Sequence, residues 1–320
     1  MINDKGRNST LPTLLQIASI HPDAQARLNA SYDLIRAELP AIDAQWLAQN
    51  AGKVEGIVTG GHLGAPPSLM TALPNLKVIG INGVGFDKID LDLARSRGVR
   101  VANTPDVLTD DVADLAVGLT IALLRRLPQA DAHVRAGKWP SGEMPLATKV
   151  TGKRIGIVGL GRIGRAVAKR FAGFTDKIGY TDVAPQDVAF AYYPDAAALA
   201  AASDVLIICA AASASTRRII GAAVFDALGP SGALVNVARG SIVDEPALVA
   251  ALQEGRLGGA ALDVFEDEPN VPAALLGVPN IVITPHVASA TNETRRAMGD
   301  LMIDNLDAFF AGKPLPTPVV

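Results

Sequence analysis

Lys153-Arg154-Ile155-Gly156-Ile157-Val158-Gly159-Leu160-Gly161-Arg162-Ile163-Gly164-Arg165-Ala166-Val167-Ala168 decides the fold class. Ile155, Ile157 and Val158 are strand formers in a short apolar run. Gly159-Leu160-Gly161-Arg162-Ile163-Gly164 completes a G-x-G-x-x-G, and an alanine-rich helical pattern follows. Gly159 permits a tight turn and Gly161 lets backbone approach a pyrophosphate, while Gly164 lets the new helix pack on the strand. The start of that helix offers unpaired N–H groups and the positive end of its dipole to phosphates. Such glycine turns are common, so context decides: a strand before, a helix after and an acid further on. Ile178-Gly179-Tyr180-Thr181-Asp182 reads as the next strand. It ends in an acid 18 residues past Gly164, where about 20 is expected for the residue that bonds the adenosine ribose. The stretch therefore reads as the phosphate-binding turn of a dinucleotide site, against the alternative of a structural turn in another α/β protein.

Composition bounds the rest. A length of 320 residues suggests two domains, and 49% apolar residues support a large core. The net charge of −3 and the absence of a basic stripe argue against nucleic acid, as does the 4% aromatic content. Cys209 is the single cysteine, so no internal disulfide can form, which fits a reducing compartment. It ends the apolar run Val205-Leu206-Ile207-Ile208 and reads as buried packing. Residues 1–10 read as a loose polar tail without a signal-peptide core, and no run reaches the 18 apolar residues of a membrane span. The expectation is a soluble cytoplasmic protein.

Upstream of the glycine turn, strands are expected over 14–20, 32–35, 56–59, 76–81 and 99–102. Helices are expected between them, over 23–30, 44–50, 68–73 and 91–97. The alternation predicts a parallel α/β layer structure. Asn103-Thr104-Pro105 breaks it, and a long helix is expected from Thr109 to Arg126, followed by a loop with Trp139-Pro140. Strands then recur near 154–158, 177–181, 205–209, 233–237, 259–263 and 281–283, the count of a doubly wound nucleotide-binding sheet. A helix over 292–310 is expected to pack back on the first domain. The chain would then cross between domains near 103 and 286, making a hinge and a cleft.

Three further segments resemble the D-isomer-specific 2-hydroxyacid dehydrogenase family: Val235-Asn236-Val237-Ala238-Arg239-Gly240-Ser241-Ile242-Val243-Asp244-Glu245, Ala261-Leu262-Asp263-Val264-Phe265-Glu266-Asp267-Glu268-Pro269 and Thr284-Pro285-His286-Val287-Ala288-Ser289-Ala290. Gly83-Val84-Gly85-Phe86-Asp87-Lys88-Ile89-Asp90 and Asn103-Thr104-Pro105-Asp106-Val107-Leu108-Thr109 match as well, so the resemblance covers nearly the whole chain. Within the family it is most similar to the glyoxylate/hydroxypyruvate reductase branch. Nothing follows residue 320 to match a regulatory domain, which disfavours a full-length phosphoglycerate dehydrogenase. The resemblance implies an α/β fold of two doubly wound parallel-sheet domains. One is a flavodoxin-like substrate (catalytic) domain, 1–103 plus 287–320, and the other an inserted Rossmann NAD(P)-binding domain, 104–286.

It also implies roles. Arg239, Glu268 and His286 would be the catalytic set. Reducing a 2-oxo acid needs a hydride at the carbonyl carbon and a proton at its oxygen. An imidazole such as His286 can give and take that proton near neutral pH. Glu268 would pair with the ring and favour its charged form. Arg239 would fork onto the substrate carboxylate and polarise the carbonyl. Taken alone, Arg239 also reads as a surface ion pair, and Glu268 as one acid of the solvated run Glu266-Asp267-Glu268; its choice rests on the family's Glu-Pro position.

Gly159, Leu160, Gly161, Arg162, Ile163, Gly164 and Asp182 would hold the cofactor, with Thr109, Ala238, Asp263 and His286 around the nicotinamide. Asp263 would take the carboxamide. Val84 and Gly85, in the turn after the fourth strand, would form an anion-binding nest for the substrate carboxylate, helped by Arg239, His286 and, unless they make only a plain glycine turn, Gly60 and Gly61. His62 lies in the same loop as Gly60. Trp139 and Met144 lie in an arm that in the family reaches a partner subunit, so a homodimer is implied. Asp182 followed by Val183-Ala184-Pro185 favours NAD(H), because an acid repels a 2′-phosphate; Arg162 and Lys177 leave NADP(H) open. Ala211 stands where the family usually has proline nearby.

The leading function is therefore NAD(P)H-dependent reduction of glyoxylate, hydroxypyruvate or a similar small 2-oxo acid to the D-2-hydroxy acid, and the reverse oxidation. No metal is expected. The competing readings are an NADH-sensing regulatory protein of the same fold, related to co-repressors, and a dehydrogenase of a larger or phosphorylated 2-hydroxy acid such as 3-phosphoglycerate. Formate oxidation is disfavoured, since that branch has glutamine where Glu268 stands.

Overall fold

The computed structural model describes residues 11–320, and the expected tail over 1–10 lies outside them. By internal contacts the chain divides after Leu108 and again after Ala290.

The first unit covers 11–108 and 291–320 of the described residues. It carries β1 (Thr13–Gln16), α1 (Pro22–Ser31), β2 (Asp33–Arg36), α2 (Ala44–Asn50), β3 (Gly56–Gly60), α3 (Pro67–Ala72), β4 (Val78–Asn82), α4 (Leu91–Ser96) and β5 (Arg100–Ala102). The sheet is parallel in the order β2-β1-β3-β4-β5, the flavodoxin-like winding. Central strands β3 and β4 are buried at every position, as parallel strands covered on both faces must be. One face packs Leu15, Ile57, Ile79 and Ile81 against Leu69, Met70 and Leu73.

The other face holds Leu14, Val58 and Val78 against Met302, Ile303 and Leu306. Those three belong to the C-terminal helix, Asn292–Phe310, whose Thr291 cap accepts from Thr294 N–H. A Cβ at Gly80 of β4 would meet Met302 Cγ at 3.1 Å, so the missing side chain lets this helix seat on the sheet. The first strand is shorter than expected. It ends at Gln16; the Ile17 N–H still donates to Val58 O at 2.9 Å, and Ala18 to Ile20 lead on to α1.

The second unit, 109–290, carries α5 (Thr109–Leu124), α6 (Leu127–Arg135), β6 (Ile155–Val158), α7 (Arg162–Phe171), β7 (Ile178–Thr181), β8 (Ala191–Tyr192), α8 (Ala196–Ala201), β9 (Val205–Ile208), α9 (Ala222–Leu228), β10 (Ala233–Asn236), α10 (Glu245–Gln253), β11 (Gly259–Leu262), α11 (Ala273–Leu276) and β12 (Ile281–Ile283). Its parallel sheet runs β12-β11-β10-β9-β6-β7-β8. The order reverses between β6 and β9, the switch point at which open α/β sheets bind ligands. In α7, Gly164, Val167, Ala168 and Phe171 are buried, a spacing of three, one and three that puts them on one face.

Two elements differ from expectation. A second helix, α6, replaces the expected loop. Pro128 has no N–H for the Leu124 carbonyl four residues back, so the preceding helix cannot run through it, and it suits the first turn of a new one. Arg126, in the left-handed conformation at φ 54°, makes the corner. The sheet also gains the edge strand β8, two exposed residues with no periodicity to betray them. No helix among the described residues is long and apolar enough to cross a membrane, and no cluster suited to a metal ion occurs among them.

Candidate active site

The glycine turn leaves β6 and enters α7. Gly159 sits at φ +88°, and a Cβ there would come within 2.5 Å of Ala210 Cα, so both conformation and space require glycine. A Cβ at Gly164 would lie 2.1 Å from Gly159 O, which confirms the close seating of helix on turn. Gly161 is different. Nothing lies within 4 Å of a Cβ built there, and no side chain caps the helix whose first residue is Arg162. An open cradle over an uncapped ten-residue helix fits a dinucleotide pyrophosphate.

Asp182 follows β7 beside this turn. Its Oδ2 accepts the Leu160 N–H at 2.8 Å and Gln186 Nε2 at 2.7 Å, and its Oδ1 accepts the Val183 N–H at 2.7 Å. The acid thus fixes the turn. Gln186 carries no motif, and only the structure identifies it.

The ends of β10, β11 and β12 carry the second cluster. Asn236, fully buried at the end of β10, accepts the Ala238 N–H at 3.0 Å and donates to Arg239 O at 2.9 Å. It shapes the loop that presents Arg239. Arg239 Nη1 donates to Ala238 O at 2.7 Å. Asp263, fully buried past β11, accepts from Thr284 Oγ1 at 2.6 Å and from the N–H groups of Val287 and Ala288 at 2.9 Å each, and its own carbonyl accepts the His286 N–H at 2.8 Å. These bonds hold His286 at φ 53°, a left-handed conformation that costs a non-glycine residue roughly 1–2 kcal/mol. The carboxylate expected to take a carboxamide therefore has three donors from the histidine loop on it.

His286 Nδ1 lies 2.7 Å from Glu268 Oε2, and Glu268 Oε1 accepts the Phe265 N–H at 3.1 Å. Burial pushes the Glu268 carboxyl up. The hydrogen bond and charge of His286, the Phe265 N–H and the charge of Arg239 outweigh it, and the net position is below the usual carboxylate value. A group depressed in the fold stabilises it above the unfolded value and loses that contribution as pH falls through the folded one. The melting temperature of Glu268→Gln is accordingly expected to lie below that of wild type at pH 7, with the gap closing as pH falls through and below the usual carboxylate range, in calorimetry across the range.

In the first unit, Gly60 pairs with Asn82 across β3 and β4. A Cβ on Gly83 would lie 3.2 Å from Gly61 N, and one on Gly60 would lie 2.9 Å from the His62 ring. Asn103 Nδ2 donates to Val84 O at 2.7 Å. Gly60, Gly61, Val84 and Gly85 therefore gather at one carboxyl edge. Thr109 is the first residue of α5, and Trp139, 67% exposed, follows α6 with Met144 beyond it. Cys209 is half-buried just past β9, and burial pushes its thiol up to about 12. It is packing rather than a nucleophile.

The model of the D-isomer specific 2-hydroxyacid dehydrogenase NAD-binding domain matches residues 117–288. The chain belongs to this family. It is 49% identical to a glyoxylate/hydroxypyruvate reductase A of Arabidopsis thaliana over 92% of this chain and 94% of that protein. It is 46% identical to a 2-ketogluconate reductase of Gluconobacter oxydans over 98% and 100% of the two chains. A structure of an NADPH-dependent glyoxylate/hydroxypyruvate reductase from Sinorhizobium meliloti, in complex with NADP and malonate, superposes with a TM-score of 0.89 at 44% identity, covering 97% of each chain. The D-2-hydroxyacid dehydrogenase family thus accounts for both sheets and for the NAD(P) turn.

Proposed function

We propose that this chain catalyses NAD(P)H-dependent reduction of a small 2-oxo acid, with glyoxylate and hydroxypyruvate as leading substrates. The observation that carries it is the His286–Glu268 pair with Arg239 acting on the same carboxylate. A sensor of the reduced cofactor has no need of a proton relay. Bound nicotinamide supplies the hydride. The rest falls to the chain's own groups. Glu268 holds the His286 Nδ1, so Nε2 is the nitrogen that delivers a proton to the carbonyl oxygen. Arg239 orients the substrate carboxylate and draws charge towards the oxygen. The first unit is proposed as the substrate domain, with the Gly83–Gly85 turn as an anion nest supported by Gly60 and Gly61. Thr109, Ala238 and Asp263 are assigned to the nicotinamide side.

The test follows absorbance of the reduced cofactor with glyoxylate or hydroxypyruvate and either NADH or NADPH. Turnover supports the reductase. NADH binding without turnover on these or on larger 2-oxo acids would favour the sensor reading.

NAD(H) is proposed as the preferred cofactor, on the ground that the Asp182 carboxylate is fixed beside the glycine turn, where an acid would repel a 2′-phosphate. Asp182→Ser with Val183→Arg is expected to raise the NADPH to NADH ratio of kcat/KM by tenfold or more, on the order of 1.4 kcal/mol. An unchanged ratio would remove Asp182 from that role.

A homodimer is also proposed. Leu127, Val134, Trp139 and Leu146, all in the α6 arm, are exposed apolar side chains at 48, 55, 67 and 98%. A cytoplasmic location is proposed as well, because a single cysteine cannot form an internal disulfide.

A further inference from the structure

We propose that Gln186 is a specificity-determining residue that keeps the adenosine end selective for NAD(H) by holding an arginine away from the ribose. This inference rests on the reading of Asp182 as the ribose acid. Gln186 is pinned at its backbone by Tyr180, a side chain only 1% exposed: its N–H donates to the Tyr180 hydroxyl at 2.6 Å, and that hydroxyl donates to Gln186 O at 3.2 Å. Its side-chain amide then spans two opposite charges. Nε2 donates to Asp182 Oδ2 at 2.7 Å, and Oε1 accepts from the Arg165 guanidinium. The reversed amide would put like dipoles against both partners, so one orientation is fixed by its neighbours.

Arg165 is an exposed residue on the first turns of α7, the helix that opens on the phosphate cradle. A 2′-phosphate needs a cation with donors to spare. Here an arginine stands one amide away from the ribose acid, but its fork is turned onto a glutamine carbonyl. The same amide adds a donor to Asp182 and so holds the repelling carboxylate where the Leu160 N–H fixes it. Removing the amide relaxes both restraints at once. Arg165 can then neutralise Asp182 or meet the phosphate, and either change favours NADP(H) over NAD(H).

The test measures dissociation constants of NADH and NADPH by fluorescence titration, and of 5′-AMP and 2′,5′-ADP by calorimetry. None of these needs turnover. Gln186→Ala is expected to lower the NADPH to NADH ratio of dissociation constants about tenfold. Arg165→Ala added to it should restore the ratio. Gln186→Glu, which keeps Arg165 occupied and adds a negative charge, should raise the ratio above wild type. An unmoved ratio in Gln186→Ala, or equal weakening of both cofactors together with a lower melting temperature, would overturn the inference and leave the glutamine as a structural pin. Wild-type protein that binds neither dinucleotide would overturn the cofactor reading and this inference with it. Wild type that binds both, with a ratio that no Gln186 variant moves, would overturn this inference alone.

Discussion

His286→Ala is expected to lower kcat for 2-oxo acid reduction by roughly 10²- to 10⁴-fold, the usual worth of a positioned general acid. NADH binding should weaken far less than kcat, because the glycine turn and Asp182 do not depend on this ring. The size of the loss follows from what the ring's surroundings do for it. Asp263 fixes the loop through four acceptor contacts, one of them its own carbonyl. Glu268 fixes the ring itself through Nδ1. Water can supply a proton but none of that placement. Glu268→Gln separates charge from shape. Glutamine retains a hydrogen-bonding group near the ring but removes the carboxylate charge beside Nδ1. The loss of kcat should be smaller than that of His286→Ala. Steady-state rates on the three proteins check this. A kcat of Glu268→Gln equal to that of wild type would mean that the carboxylate acts only as a spacer.

Much of this site is written locally. Strands of a parallel sheet are covered on both faces, so β6 and β9 stand out as unbroken apolar runs. Gly159, Gly161 and Gly164 announce themselves by spacing. Arg239, Glu268 and His286 come from the family resemblance, and what the structure adds is the His286–Glu268 contact across 18 positions of sequence. Contacts between distant segments leave no local trace. Asp263 reaches Thr284, Val287 and Ala288, 21 to 25 positions on, and nothing in its own neighbourhood says that its carboxylate is spent there. Gln186 follows an exposed turn, Val183-Ala184-Pro185, that reads as unremarkable loop until Tyr180, Asp182 and Arg165 are seen around it. The helix α6 was hidden for another reason. Proline carries opposite meanings at the end and at the start of a helix, and at Pro128 both apply.

Gly240→Ala is expected to disable the enzyme nearly as thoroughly as loss of a catalytic side chain, although Gly240 itself offers no chemistry. Its backbone torsion is not the issue, since Gly240 is not among the glycines at positive φ. Space is. A Cβ there would lie 1.9 Å from Phe265 C and 2.2 Å from both Phe265 O and Glu266 N, all of them backbone atoms that cannot rotate aside. Either the Arg239 segment or the Phe265 segment must move. Moving the second drags Glu268, whose Oε1 holds the Phe265 N–H, and strains Glu266, whose N–H donates to Glu245 Oε1 at 2.7 Å. Both alternatives separate Arg239 from the His286–Glu268 pair. A displacement of about 1 Å at reacting groups costs on the order of 10²-fold in rate, and overpacking of this kind costs about 1–3 kcal/mol of stability. The contrast is Gly161→Ala, where a Cβ meets no protein atom within 4 Å. There the ligand-free melting temperature should stay at the wild-type value while NADH affinity falls, because the methyl group occupies the place proposed for pyrophosphate. Calorimetry without ligand, NADH titration and kcat/KM on the two variants separate a contact made within the protein from one made with the cofactor. A Gly240→Ala protein of wild-type stability and activity would mean that the Arg239 and Phe265 segments are not held as close as the structure has them.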